Sequence, residues 1–248
     1  MGKLNGKVAV ITGASAGLGL AVAVDFVGEG AQVVLMGRRE APLREAAETI
    51  GPAASYVSGD VTKAEDLDRL FQAVRERHGR LDILVANAGG VGGGPVTTCS
   101  PQAFDDLIAL NVKSVFFTVQ KAVPLLRSPA SIVIIGSTSA EIALPGGSLY
   151  SASKAAVRSF ARSWAAELAP LGIRVNLVGP GPTDTPLVER IDAGGGGVFL
   201  DQLIRTRGAL HRRGRAEEVA AAVRFLSSDE SAWTTGAALY VDGGIAYL

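Results

Sequence analysis

The chain has 248 residues, 48% hydrophobic and 19% charged, with 24 basic and 24 acidic side chains and a formal net charge of zero. That apolar content builds a large core and excludes a disordered chain, while the balanced charge offers no basic field to nucleic acid or anionic lipid. Cys99 is the only cysteine, so no intrachain disulfide forms. No stretch approaches the ~20 apolar residues of a membrane span, and Met1–Gly6 leads into an apolar run too brief for a signal peptide. A cytoplasmic protein is expected.

Val8–Ile11 is a continuous apolar run, as expected of a strand covered on both faces. Thr12–Gly19 follows as a glycine-rich turn, then a helical pattern to about Gly28. Gln32–Met36 is a second buried strand. A helix over Ala41–Ile50, a short strand over Ser55–Ser58 and an amphipathic helix over Lys63–Arg77 come next. Leu81–Ala86 and Ser131–Ile135 are further strands, with helical material from Gln102 to Arg127 between them. A helix over Tyr150–Ala169, a strand over Ile173–Val178, a helix over Ala216–Leu226 and a last strand over Ala238–Val241 complete the chain. Strands alternating with helices predict an α/β fold: one Rossmann-like, doubly wound domain over 1–248. Its sheet is mostly parallel, of about seven strands, with helices on both faces.

Glycines 13, 17 and 19 lie between a buried strand and a helix. Such a turn lets the backbone approach a pyrophosphate, whose charge is met by N–H groups at the helix start. The spacing is G-x-x-x-G-x-G, and 31 glycines in the chain make a chance match easy. Gly13–Gly17 also fits G-x-S-x-G, the nucleophile elbow of serine hydrolases. Ser15 would then need Asp184 or Asp192 with His211. The absence of an HGGG-type segment and the unexplained Gly19 weigh against that alternative. Ser151–Lys154 matches S-x-x-K, but without a K-T-G or S-D-N partner.

Tyr150 and Lys154, four apart, share one face of a helix that starts near Tyr150. An ammonium held beside a phenol favours the phenolate and lowers its pKa from about 10. Ser137 ends an apolar strand thirteen residues upstream, where its hydroxyl can return to the start of that helix.

Thr12–Gly19, Asp60-Val61, Asn87-Ala88-Gly89, Asn111, Ser137, Tyr150-x-x-x-Lys154, Pro180-Gly181 with Thr185, and Val241–Gly244 occur in order along the chain. Together they resemble the short-chain dehydrogenase/reductase family over essentially the whole sequence. One departure is Ala86, where the family usually has asparagine before Asn87, which bears on a local hydrogen bond. The resemblance implies an oxidoreductase that interconverts a ketone or aldehyde and an alcohol. Tyr150 is then the proton donor, Ser137 holds the carbonyl oxygen, and Lys154 tunes the tyrosine and binds the nicotinamide ribose. Asn111 holds a water next to Lys154, or alternatively caps or kinks a helix; Ser139 is a second choice to Ser137. Coenzyme contacts implied are Gly13, Ser15, Gly17, Leu18, Gly19, Arg38, Arg39, Asp60, Val61, Asn87, Ala88, Gly89, Tyr150, Lys154, Pro180, Gly181, Thr183 and Thr185. A non-catalytic coenzyme-binding protein on the same fold is the competing reading.

Gly37 ends the second strand, where a carboxylate for the adenosine ribose would be expected. It has no side chain, and Arg38 and Arg39 follow it. Guanidinium groups bind a 2′-phosphate through forked, charge-assisted hydrogen bonds, whereas a carboxylate would repel it. NADP(H) is therefore the expected coenzyme, with NAD(H) the alternative, and the arginines otherwise read as solvated charges at a helix start. From Leu187 to about Leu210 the pattern loosens. This region, about 183–213, reads either as a mobile lid with Phe199, Leu200 and Leu203 towards the substrate or as a surface insertion. His78 and His211 stand far apart, so no metal site is expected. Apolar residues around the helices at Val112–Leu126 and Ala155–Leu168 (Phe116, Phe117, Phe160, Trp164) favour an oligomer over a thick monomer core. The resemblance makes it a homotetramer, or else a homodimer. The partner is a small carbonyl or alcohol substrate, which the sequence does not name.

Overall fold

In the computed structural model, which describes residues 2–248, the expected apolar runs form one seven-stranded sheet. The strands are Val8–Thr12 (β1), Gln32–Gly37 (β2), Ala54–Ser58 (β3), Leu81–Ala86 (β4), Leu126–Ile135 (β5), Ile173–Pro180 (β6) and Ala238–Val241 (β7). Their order is β3-β2-β1-β4-β5-β6-β7, and every neighbouring pair is parallel. The helices are Gly17–Gly28 (α1), Glu40–Ile50 (α2), Ala64–His78 (α3), Pro101–Ile108 (α4), Ser114–Ala122 (α5), Ser148–Leu168 (α6), Pro186–Ile191 (α7), Gly197–Arg207 (α8) and Ala216–Ser227 (α9).

Both faces of the sheet are covered, and the two-residue period of a strand divides the side chains between them. On β1, Val8 and Val10 join a core with Leu70 and Phe71 of α3, Val119 of α5 and Trp164 of α6. Ala9 and Ile11 join the opposite core with Phe26 of α1, Leu43 of α2 and Val223 of α9. Phe26, Leu35, Leu70 and Leu84 are wholly inaccessible, and burial of each such side chain contributes roughly 1.5–3 kcal/mol. From β1 the chain winds outward to β2 and β3, then crosses back to β4 and winds the other way. Ligands bind where the order reverses, at the carboxyl ends of the strands.

Two stretches differ from expectation. The helical material expected to reach Arg127 is broken into α4, a π-turn over Ala109–Lys113, α5 and a 3₁₀ turn over Val123–Leu125. Pro124 has no N–H to continue the helix, so β5 begins at Leu126. Residues 127–129 are exposed, and pairing with β4 shifts register between Leu81 and Ile83. Regular pairing resumes at Ser131, where the apolar run begins.

The loosened region is the other difference, because it holds α7, a π-turn over Asp192–Gly196 and α8. Gly195, at φ +87°, makes the break between them. Arg213 bonds Asp192 at 2.6 and 3.1 Å and Asp201 at 3.0 Å, with Asp184 at 3.8 Å, so one guanidinium ties three segments of this region together.

Candidate active site

The glycine turn leaves β1 with Gly13 at φ +67° and Gly17 at φ +58°, left-handed values that disfavour a side chain. A Cβ on Gly13 would stand 2.9 Å from Ala88 Cα, so the turn is pressed against the segment after β4. Thr12 fixes that approach: its Oγ1 accepts the N–H of Asn87 at 3.1 Å and of Ala88 at 3.0 Å. Asn87 Nδ2 returns to the carbonyls of Thr12 at 2.7 Å and Gly13 at 3.2 Å. The position before it, Ala86, is a buried strand residue, so from the β4 side Asn87 supplies the side-chain hydrogen bonds to the glycine turn. No side chain caps the first turn of α1, which leaves its N–H groups to meet an anion. A cradle of this shape fits a dinucleotide pyrophosphate.

Beyond the end of β2, Arg38 and Arg39 stand exposed on the same cleft, and Arg39 Nη2 donates to Ser15 Oγ at 3.5 Å. Among the described residues neither arginine has a carboxylate within ion-pair distance. Asp60 lines the cleft too, but Oδ1 already accepts the Thr62 N–H at 2.9 Å and the Thr62 hydroxyl at 2.8 Å. Its carboxylate therefore shapes the turn leading into α3.

Tyr150 and Lys154 lie in the first two turns of α6, and Lys154 Nζ is 5.9 Å from the centre of the Tyr150 ring. Lys154 is buried and donates to the carbonyl of Ile135 at 3.1 Å. Burial lowers its pKa to about 8. The expected lowering of the tyrosine pKa is not what the structure gives. Burial pushes the Tyr150 phenol up, and the hydroxyls of Ser137 and Ser139 only partly oppose it. Desolvation outweighs these hydrogen bonds, so the phenol keeps its proton at neutral pH.

Ser137 opens a 3₁₀ turn over Thr138–Ala140, and its Oγ accepts the N–H of Ser139 at 3.1 Å. That bond occupies an oxygen lone pair and leaves the hydroxyl proton free to donate. Asn111 is buried in the π-turn between α4 and α5. Its Oδ1 accepts the Gly90 N–H at 2.9 Å, and Nδ2 donates to the Gly90 carbonyl at 2.9 Å and Ser153 Oγ at 3.0 Å. Asn111 thus sits at a helix irregularity and ties it to the glycine segment after β4 and to α6.

One cleft of about 830 Å³ gathers Gly13, Ser15, Gly17, Leu18, Arg38, Arg39, Asp60, Val61, Asn87, Ala88, Gly89, Tyr150, Lys154, Pro180, Gly181, Thr183 and Thr185. Three expected residues stand off its wall. Gly19 is buried in α1, where a Cβ would come within 2.6 Å of both Gly13 O and Asn87 Nδ2, so its place is one of close packing. Ser137 is half-buried between Gly136 and Thr138, which do line the cleft, and Asn111 is hydrogen-bonded to Gly90, which lines it too. From α8, Leu200 and Leu203 line the cleft, whereas Phe199 does not and is 40% exposed. Sequence reasoning missed the apolar wall of Val91, Ile142, Leu144, Leu187 and Ile191, whose irregular spacing carries no period. It also missed Thr12 as the link between β1 and β4. The serine hydrolase constellation is not assembled: Ser15 meets Arg39, and Asp184 and Asp192 are turned to Arg213.

A family profile described as enoyl-(acyl carrier protein) reductase matches residues 13–246. The oxidoreductase asL5 of Sarocladium schorii is 40% identical over 249 aligned positions, covering 99% of this chain and 98% of that protein. The 3-oxoacyl-[acyl-carrier-protein] reductase FabG of Thermotoga maritima is 35% identical, over 98% of this chain and 99% of its own. A crystal structure of a dehydrogenase/reductase from Sinorhizobium meliloti superposes with a TM-score of 0.91 at 33% identity, covering 98% of this chain and 96% of that one.

Proposed function

The chain belongs to the short-chain dehydrogenase/reductase family, and on that premise we propose an NADP(H)-dependent oxidoreductase that interconverts a ketone or aldehyde and an alcohol. The observation that carries this reading is the content of one cleft: a tyrosine–lysine pair at one end and two guanidiniums without carboxylate partners at the other. Bound reduced nicotinamide supplies the hydride. The phenol of Tyr150, protonated at neutral pH, gives its proton to the carbonyl oxygen, and the Ser137 hydroxyl donates to the same oxygen to orient it. Lys154 holds a positive charge behind the tyrosine, and Asn111 fixes the segment against which that lysine packs. A purely nucleotide-binding protein would have no use for an ammonium buried to 6% exposure, since burying that charge is costly.

Arg38 and Arg39 support NADP(H) over NAD(H). Charge-assisted hydrogen bonds contribute about 1.5–3 kcal/mol each, so Arg38→Ala should raise the KM for NADPH by about tenfold or more and leave that for NADH almost unchanged. Steady-state kinetics with both coenzymes test it, and a strong wild-type preference for NADH would overturn the assignment. A panel of carbonyl compounds with NADPH, followed at the nicotinamide absorbance band, identifies the substrate.

The proposed unit is one domain over 1–248, with 183–213 as a lid whose inner face (Leu187, Leu200, Leu203) selects the substrate. No described helix is long and apolar enough to cross a membrane, and a cytoplasmic location is part of the proposal. So is a homotetramer, with a homodimer as the smaller alternative. Phe116 packs edge-on against Phe117, Phe160 and Trp164 yet remains 38% exposed, and Phe104 of α4 is 49% exposed. Light scattering at micromolar concentration should give four times the chain mass, and a monomer would remove this part of the proposal.

A further inference from the structure

We propose that Glu141 is a positioning residue for the Ser137 hydroxyl, acting through a charged junction with Arg158 and Tyr240; the proposal rests on the oxidoreductase reading above. The turn that carries Ser137 is only three residues long, and so short a 3₁₀ segment has little stability of its own. Its closure is made by Glu141, whose N–H donates to the Thr138 carbonyl at 2.9 Å, while the Ala140 N–H returns to the Ser137 carbonyl at 3.2 Å. Wherever Glu141 is held, the end of the turn is held.

The Glu141 side chain is bound twice. Its Oε1 accepts from Arg158 Nη1 at 2.9 Å and from the Tyr240 hydroxyl at 2.6 Å, with the carboxylate only 14% exposed. Arg158 stands on α6 four residues after Lys154, one helical turn further along the helix that carries Tyr150. Tyr240 lies on β7 and presses its ring on Gly179 of β6, where a Cβ would come within 2.5 Å of the ring. Its edge meets Tyr247, with ring centres 5.3 Å apart. Pro180 and Gly181, the next two residues after Gly179, line the cleft. A single carboxylate therefore references the serine turn to the tyrosine–lysine helix and to the strand pair beside the coenzyme. The screening that makes exposed ion pairs weak is reduced at so covered a carboxylate.

Displacing a hydroxyl by about 1 Å from its productive place lowers a rate by up to ~10²-fold. Glu141→Ala should therefore lower kcat by about ten- to a hundredfold with the coenzyme Kd unchanged. A double-mutant cycle separates positioning from a general structural role. In a Ser137→Ala background the Glu141→Ala change should cost less than about twofold, because there is no hydroxyl left to misplace. Equal losses in both backgrounds, or no loss with Ser137 present, would overturn the proposal. Glu141→Gln, which keeps the shape and removes the charge, serves if the alanine variant does not fold, and the same two outcomes decide it.

A second readout does not depend on turnover. In protein labelled with ¹³Cζ-tyrosine, the Tyr150 resonance, assigned from Tyr150→Phe, should move on Glu141→Ala when Ser137 is present and stay in place when it is absent. A shift that is the same in both backgrounds counts against positioning. The expected pattern in a chain that reduces no carbonyl would leave positioning standing and remove the reductase reading alone.

Discussion

Tyr150→Phe is expected to lower turnover by about 10²- to 10⁴-fold, the range contributed by a positioned proton donor. NADPH should still bind with its wild-type Kd. The substitution removes one oxygen and keeps the ring, so the cleft wall and α6 remain intact. Tyr150 lines the cleft beside Lys154, and no other tyrosine does. Burial holds the phenol protonated at neutral pH, the state needed to give a proton to a carbonyl oxygen. Stopped-flow absorbance under single-turnover conditions reads the chemical step, and coenzyme fluorescence reads binding. Near-wild-type rates in the phenylalanine variant would take the tyrosine out of the donor role. Loss of coenzyme binding along with turnover would assign it to the nucleotide site instead.

Lys154→Met is expected to separate activity from stability. The unfolded chain protonates this lysine up to its ordinary pKa of 10.5, whereas the folded protein does so only up to about 8. Between those values the unfolded state holds more protons, so stability rises with pH across the window. Below pH 8 the full cost of the buried charge is present; at about 1.4 kcal/mol per unit it amounts to about 3 kcal/mol. Methionine fills a similar volume without the charge, and loses the hydrogen bond to the Ile135 carbonyl. The variant should therefore melt several degrees above wild type at pH 7, and the advantage should vanish by about pH 10.5. Turnover should fall steeply in the same variant. Thermal melts at pH 7 and pH 10.5 check the first expectation. A variant less stable than wild type at both would show that the lysine earns its place by packing.

The strands were legible because parallel strands covered on both faces are written as unbroken apolar runs, and Val8–Ile11 of β1 and Val33–Met36 of β2 show this. The start of β5 was not, because Arg127, Ser128 and Pro129 belong to no apolar pattern and are carried into the sheet by their neighbours. The region from Pro186 to Arg207 was illegible for a related reason. Its helices are short and joined through four glycines, and an arginine with three carboxylates supplies the order that periodicity lacks. Residues of the site could be found wherever the chemistry needs one residue type at a fixed spacing, as with Tyr150 and Lys154. The apolar wall around Ile142 and Leu144 could not, since many side chains would fill the same space. The sign of the tyrosine shift was missed because a sequence shows which charges are adjacent but not how much water remains around them.

Thr12 and Asn87 lace the first strand to the fourth by exchanging hydrogen bonds in both directions. The two banks of the crevice cannot drift apart independently, and an arriving dinucleotide meets a mould already set. Little chain entropy remains to be surrendered there on binding. The segment between residues 183 and 213 is fastened separately, by the Arg213 ion pairs. If that segment selects the carbonyl, as proposed above, evolution or an engineer can recast it while the grip on the nucleotide stays as it is.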